Sequence, residues 1–333
     1  MNIVFYETEI EEAKYLSKRL PGHEVVYHEA PLTVKNLPDS NVSIISVSIK
    51  SQLTSELLEM LPSVKFINTF STGVDHIDIG KAKARNILVS NVPGQNVQSV
   101  AEFTFALLLL LSRKLFSSIK RVKDEGKFST EGLTGFDLKG KTIGVVGVGQ
   151  VGLAVIRIAK AFGMNVLAYS RKVNENIAEE YSVSFVSLPE LLKKSDVVTL
   201  HLSYGPETHH IVNLENISDF KKGSILINTA RGGLVETSSI LKGLEAGILA
   251  GAALDVLEEE GFIGEEAELL LNGHPKEKQL KALLADHALM HMDNVIITPH
   301  NAFNSKESNV AMLDATIANI HGFINNQPIH KIS

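Results

Sequence analysis

"GVVGVGQVGLAVIRIAKAFGMNVLAYSRK", residues 144–172, reads as an apolar strand, a glycine turn, an amphipathic helix and a second strand. That succession is a βαβ unit, because two parallel strands in one sheet need a crossover between them and a helix is the usual one. Gly147-Val148-Gly149-Gln150-Val151-Gly152 leaves the strand and opens the helix. In such a turn the first glycine allows the tight bend and the second lets the backbone approach a pyrophosphate. The third lets helix and strand pack closely. The helix N-terminus then presents N–H groups and the positive end of a dipole to the phosphates. Gly147, Gly149, Gln150, Val151 and Gly152 are therefore the candidate dinucleotide-binding residues, and Gly163 is the candidate cap at the helix's far end.

The second strand ends in Ser170-Arg171-Lys172. An acidic residue at Ser170 would accept hydrogen bonds from an adenosine 2′-hydroxyl and repel a 2′-phosphate. Serine removes the repulsion, and Arg171 supplies a fork that suits a phosphate. NADP is favoured on these residues, and NAD is not excluded.

The same alternation of short apolar strands and amphipathic helices runs along the whole chain, the pattern of parallel sheets covered on both faces. "NIVFYE", "HEVVYH", "VSIISVS", "KFINTFS" and "ILVSNV" read as strands before the glycine turn, with helices over Glu9–Leu20 and Thr54–Leu61. A single long helix is expected over Ser99–Lys123. Its leucine run holds more apolar residues than one face of a two-layer domain needs. After the turn come "VVTLHL", "SILINTA", "AGAALDV" and "NVIITP", a capping box at Ser187–Glu190 opening a helix that ends near Lys194, and a last helix over Ser305–Ile324. Glu258–Asp293 is a weakly periodic, charged excursion of the kind that is commonly functional. The fold class is α/β, with two domains expected from 333 residues.

Three polar residues stand at the ends of predicted strands, where doubly wound sheets bind ligands. Arg231 follows "INTA", and its planar guanidinium suits bidentate capture of a carboxylate. His300 follows "IITP", and an imidazole exchanges protons near neutral pH. Glu260 lies beyond the strand that ends at Asp255, placed to orient such an imidazole. With 44% hydrophobic and 21% charged residues the balance is that of a globular protein. A net charge of −6 gives no electrostatic case for nucleic acid or an anionic membrane. Cysteine is absent, which removes disulfides, thiolate metal sites and cysteine nucleophiles. No metal site is indicated. The opening residues lack the basic start and apolar core of a signal peptide, so the cytoplasm is expected.

Taken together, "STGVDHID" (71–78), "NVPGQNVQSVAEFTFALLL" (91–109), "GVVGVGQVG" (144–152), "INTARGG" (227–233), "GAALDV" (251–256) and "TPH" (298–300) resemble the D-2-hydroxyacid dehydrogenase family. The resemblance implies a nicotinamide-dependent oxidoreductase acting on a small 2-keto or 2-hydroxy acid. It implies a Rossmann cofactor domain, residues 99–301, inserted into a split flavodoxin-like catalytic domain of residues 1–98 plus 302–333. It implies that His300 is the general acid/base with Glu260 as its partner, and that Arg231 binds the substrate's carboxylate and keto oxygen. The backbone N–H groups of Thr72 and Gly73 would bind the carboxylate. Asp255 would hold the nicotinamide carboxamide, and Thr229 and Ala230 would line the ring. The long stretch between Glu260 and His300 resembles the D-lactate dehydrogenase branch, whereas Gly94-Gln95 after "NVP" resembles the glyoxylate and hydroxypyruvate reductases. Relatives that sense NAD(H) as co-repressors retain the same trio and form a third reading. The family also implies a homodimer around Phe103–Phe116.

Overall fold

The computed structural model describes residues 1–258, 260 and 277–332. The chain divides into two compact units, Met1–Asn96 with Asn304–Ser333, and Val97–Phe303.

The first unit is built on a parallel sheet whose order among the described residues is β2-β1-β3-β4-β5. Its strands are β1 (Asn2–Phe5), β2 (Glu24–Tyr27), β3 (Ile44–Val47), β4 (Phe66–Thr69) and β5 (Leu88–Ser90). Every residue of β3 and β4 is buried, so these strands are continuous apolar or small-polar runs, as strands covered on both faces must be. Three helices connect them, α1 (Ile10–Ser17), α2 (Ser55–Glu59) and α3 (Ile79–Ala84). Thr54 opens α2 by accepting from the Leu57 N–H at 3.3 Å, and Asp78 opens α3 by accepting from the Lys81 N–H at 2.8 Å.

The second unit begins with α4 (Val97–Ser112) and α5 (Leu115–Lys123). The βαβ unit of the glycine turn follows as β6 (Thr142–Val146), α6 (Gln150–Ala161) and β7 (Asn165–Tyr169). Then come α7 (Glu175–Glu180), β8 (Ser184–Phe185), α8 (Leu188–Lys194), β9 (Val197–Leu200), β10 (Ser224–Asn228), α9 (Thr237–Glu245), β11 (Leu249–Leu254), α10 (Glu277–Met290) and β12 (Val295–Ile297). The strands are parallel in the order β12-β11-β10-β9-β6-β7-β8. Side chains alternate across this sheet: Ile143, Val145, Ile225 and Ile227 pack with Leu107 and Leu108 of α4 and Val155 and Ile156 of α6. Val146 and Leu226 face the other way, onto Leu191 of α8, Ile240 of α9 and Leu289 of α10. The chain then re-enters the first unit as α11 (Lys306–Ile324), whose Leu313, Ile317 and Ile320 cover Ile3, Phe5 and Phe66. No helix among the described residues is long and apolar enough to cross a membrane.

The single helix expected over Ser99–Lys123 is two. Lys114 takes a left-handed φ of 50°, and the Ser112 carbonyl, which would bond Phe116 in a continuing helix, accepts instead from the Phe136 N–H at 2.8 Å. Gly135 permits that approach, since a Cβ there would collide with Ser112 O. The leucine run is also absorbed by its own unit: Leu107 and Leu108 are buried, and Leu109, Leu110 and Leu111 pack against the same core. The exposed apolar face belongs to α5. The expected capping box does not close either. Helix α8 starts after Ser187, but its hydroxyl makes no cap hydrogen bond and Glu190 pairs with Lys194 at 2.6 Å. Within the excursion over Glu258–Asp293 lies α10, while residues 259 and 261–276 are outside the described residues.

Candidate active site

In the second unit the chain steps outward from β6 through β7 to β8, then returns to place β9 on the other side of β6. The carboxyl ends of β6 and β9 thus form the crevice of a topological switch point, where such sheets bind ligands. Gly147 ends β6 there with φ 101°, and a Cβ on it would sit 2.7 Å from His201 O, just past β9. A Cβ on Gly152 would collide with Gly147 O, so α6 packs directly on the turn. A Cβ on Gly149 would meet nothing within 4 Å, and Gly149 caps α6 without any side chain. The turn is tight where strand and helix meet and open where α6 presents its N–H groups, which fits a dinucleotide's pyrophosphate. Gln150 is exposed and Val151 half-buried at the mouth of this helix. Gly163 has φ 71° just beyond the α6 cap.

Arg231, Asp255 and His300 follow three adjacent strands. The register aligns Asn228 of β10 with Leu254 of β11, and Leu254 with Ile297 of β12. Arg231 and His300 each follow that row by three residues in sequence, past β10 and β12, which lie two strand spacings or about 10 Å apart. Arg231 opens a 3₁₀ turn, and its guanidinium donates to Ala230 O at 2.8 Å. The turn is wedged in place, because a Cβ on Gly232 would collide with Leu257 O.

His300 Nδ1 lies 2.9 Å from Glu260 Oε1, the imidazole largely covered and the carboxylate more open. A carboxylate only accepts, so Nδ1 carries hydrogen in this pair and Nε2 is the nitrogen left for other chemistry. Asp255 is buried, and its carboxylate serves the His300 loop. It accepts from the Asn301 N–H at 2.9 Å, the Ala302 N–H at 2.8 Å and the Thr298 hydroxyl. Burial pushes this carboxyl above the ordinary range, and those three hydrogen bonds pull against the rise. The His300 N–H donates to Asp255 O at 2.8 Å. Thr229 is buried, with its hydroxyl 3.0 Å from that of Thr104 on α4, while Ala230 is half-buried and donates to Asn228 Oδ1.

Ser170 is half-buried just past β7. The exposed Arg171 pairs with Glu207 at 2.7 Å, an acidic partner that the motif does not foresee. In the first unit, the Thr72 and Gly73 N–H groups donate to no acceptor among the described residues. Their loop is braced by other atoms: Asn91 Nδ2 donates to Thr72 O at 2.7 Å, and the Thr72 hydroxyl donates to Val92 O at 3.1 Å. Asn91, Thr298 and Glu207 are the residues that motifs alone miss. Asn91 and Thr298 lie inside "NVPGQ" and "TPH", and only their contacts give them a role.

Residues 105–302 match the family model "D-isomer specific 2-hydroxyacid dehydrogenase, NAD binding domain". The chain belongs to that family, and it is an oxidoreductase. It is 38% identical over 331 residues to the D-specific alpha-keto acid dehydrogenase of Enterococcus faecium, covering 97% of each chain. It is 34% identical over 288 residues to the glyoxylate reductase of Thermococcus litoralis, covering 85% of this chain and 80% of that one. Among solved structures it resembles the D-lactate dehydrogenase of Aquifex aeolicus, solved with NAD and lactic acid. That match has a TM-score of 0.87 and 34% identity, over 98% of this chain and 96% of the other.

Proposed function

We propose that, within this family, the chain reduces pyruvate to D-lactate with a reduced nicotinamide cofactor. The observation that carries the reading is the His300–Glu260 pair beyond β12, with Arg231 just past β10, two strands away in the same sheet. Gly147, Gly149, Gln150, Val151 and Gly152 would hold the cofactor's phosphates, with Ser170 and Arg171 at its ribose and Thr229, Ala230 and Asp255 toward its ring. The bound nicotinamide supplies the hydride to the keto carbon. Arg231 binds the carboxylate and polarises the keto oxygen, whose developing charge a fixed cation stabilises. The Thr72 and Gly73 N–H groups hold the carboxylate. His300 Nε2 delivers the proton to the carbonyl oxygen, and Glu260 fixes the tautomer that makes this possible and balances the charge of the protonated ring. Asp255 also acts by pinning the loop that presents His300.

The Aquifex aeolicus relative, a D-lactate dehydrogenase complexed with lactic acid, supports lactate as product. A second reading, glyoxylate or hydroxypyruvate reduction, is favoured by Gly94-Gln95 and by the name of the Thermococcus litoralis relative. Spectrophotometric turnover with pyruvate, glyoxylate, hydroxypyruvate and larger 2-keto acids, each with NADH and NADPH, separates the two. With the best substrate, His300→Ala should lower kcat on the order of 10²–10⁴-fold while cofactor affinity persists. Arg231→Lys should also fail badly, since an ammonium cannot reproduce the fork. Near-normal kcat in His300→Ala would remove His300 as the proton donor.

We also propose a homodimer formed through α5. Leu115, Phe116, Ile119 and Val122 recur at helical spacing along it, and all are exposed. Phe128, shortly beyond, is 98% exposed as well, and clustered exposed apolar residues mark an interaction surface. Light scattering should give twice the chain mass for the wild type and the single mass for Phe116→Glu/Ile119→Glu. A monomeric wild type at micromolar concentration would end the proposal.

A further inference from the structure

Within the first unit, a chain of buried side-chain amides runs from an exposed segment to the Thr72–Gly73 loop. Asn68, Thr316 and Asn319 are fully buried, and Asn91 nearly so. The two Asn319 Nδ2 hydrogens go to Asn68 Oδ1 and Asn91 O, each at 2.8 Å. Asn68 Nδ2 donates in turn to Ser46 Oγ at 3.0 Å and Thr316 Oγ1 at 3.1 Å. Asn319 Oδ1 therefore has only an acceptor's role left, and His330 Nδ1 fills it at 2.8 Å. His330 O accepts from the Asn91 N–H at 3.3 Å, so one residue grips Asn91 directly and through Asn319. Asn91 Nδ2 then holds Thr72 O at 2.7 Å.

The segment that carries His330 is fixed along β5. Ser90 Oγ donates to Ile329 O at 2.8 Å, the Ile332 N–H donates to Val89 O at 2.9 Å, and Ser90 bridges Lys331 in antiparallel sense. We infer that Asn319 and His330 are positioning residues that set the aim of the Thr72 and Gly73 N–H groups toward a substrate carboxylate. The inference rests on the proposed role of that loop. Every donor and acceptor of the Asn319 amide is satisfied, and in a buried network a single lost partner leaves the next group unpaired. A change at His330 therefore reaches Thr72 through two side chains without touching substrate.

His330 has a left-handed φ of 51°, a conformation that glycine and asparagine both tolerate. His330→Gly keeps the backbone and removes the donor. His330→Asn keeps the backbone and offers an amide N–H in its place. The Gly variant should raise KM for the 2-keto acid roughly threefold to tenfold, the effect of one such hydrogen bond, with kcat and the Kd of NADH unchanged. The Asn variant should restore KM. Hydrogen exchange of peptides spanning residues 68–76 should quicken in the Gly variant and not in the Asn variant. An unchanged KM in His330→Gly overturns the inference, whatever the exchange does. So does a parallel loss of kcat, cofactor affinity and protection throughout the unit, which marks a merely structural role. A wild type that reduces no 2-keto acid overturns the dehydrogenase reading instead, and unchanged exchange at residues 68–76 would then still refute the positioning role.

Discussion

Arg171 stands exposed just past β7, next to the half-buried Ser170. On its own, a guanidinium beside Ser170 invites a 2′-phosphate; in the fold it already holds Glu207 at 2.7 Å, with both side chains mostly in water. An exposed pair of this kind contributes at most about 1 kcal/mol, so the phosphate can displace Glu207, at a cost. NADPH should be used at least as well as NADH, with a preference of roughly tenfold at most. Glu207→Gln should raise the NADPH-to-NADH ratio of kcat/KM by about twofold to fivefold, and Ser170→Asp should reverse it. A ratio unmoved by Glu207→Gln would show that Arg171 never meets the ribose. His300 shows the other side of residue-level reading. "TPH" marks it plainly, but its left-handed φ of 50° and the Asp255 carboxylate that braces its loop belong to long-range contacts that no local pattern carries.

Among the elements, those legible in sequence are the strands and helices whose own periodicity matches their burial. β6, α6 and β7 fall where the glycine turn puts them, and α11 starts at Ser305, whose hydroxyl accepts from the Ser308 N–H at 3.1 Å. The break between α4 and α5 is not legible, because its cause lies more than twenty residues downstream in the Phe136 bond to Ser112. The amide chain is hidden for the same reason: Asn68 and Asn319 meet across 251 positions of sequence. α7 is short and mostly polar, so it lacks the apolar stripe by which a helix announces itself. The break supplies its own test. Gly135→Ala places a methyl group against the Ser112 carbonyl and should cost about 2–3 kcal/mol in urea unfolding. Gly205→Ala, where nothing lies within 4 Å, should stay within about 0.5 kcal/mol of wild type. Equal stability of the two variants would mean that residues 135–136 do not dock on α4.

For the molecule as a whole, the switch point sets a dependence on acid. His201 keeps Nε2 2.9 Å from the Thr199 hydroxyl, and its Nδ1 is buried with no partner among the described residues. Burial alone drives this imidazole down to about 3 from its ordinary 6.5. Between those values the unfolded chain binds a proton that the folded chain refuses, so stability falls as pH drops below about 6.5. By pH 5 the loss approaches about 2 kcal/mol. Urea unfolding at pH 7.5 and pH 5 should therefore show a larger acid loss for wild type than for His201→Gln, and equal losses would refute the claim.

The place of α11 in the chain has a consequence for synthesis. The sheet face of Ile3, Phe5 and Phe66 leaves the ribosome early, yet Leu313, Ile317 and Ile320, which cover it, come only after the whole second unit. At ordinary elongation rates of about 5–20 residues per second, that face waits roughly 10–50 s with only the early Leu16 and Leu20 packed on it. Throughout that interval the nascent chain displays a greasy, half-made sheet, a natural client for chaperones and the point at which overproduction would drive it into inclusion bodies.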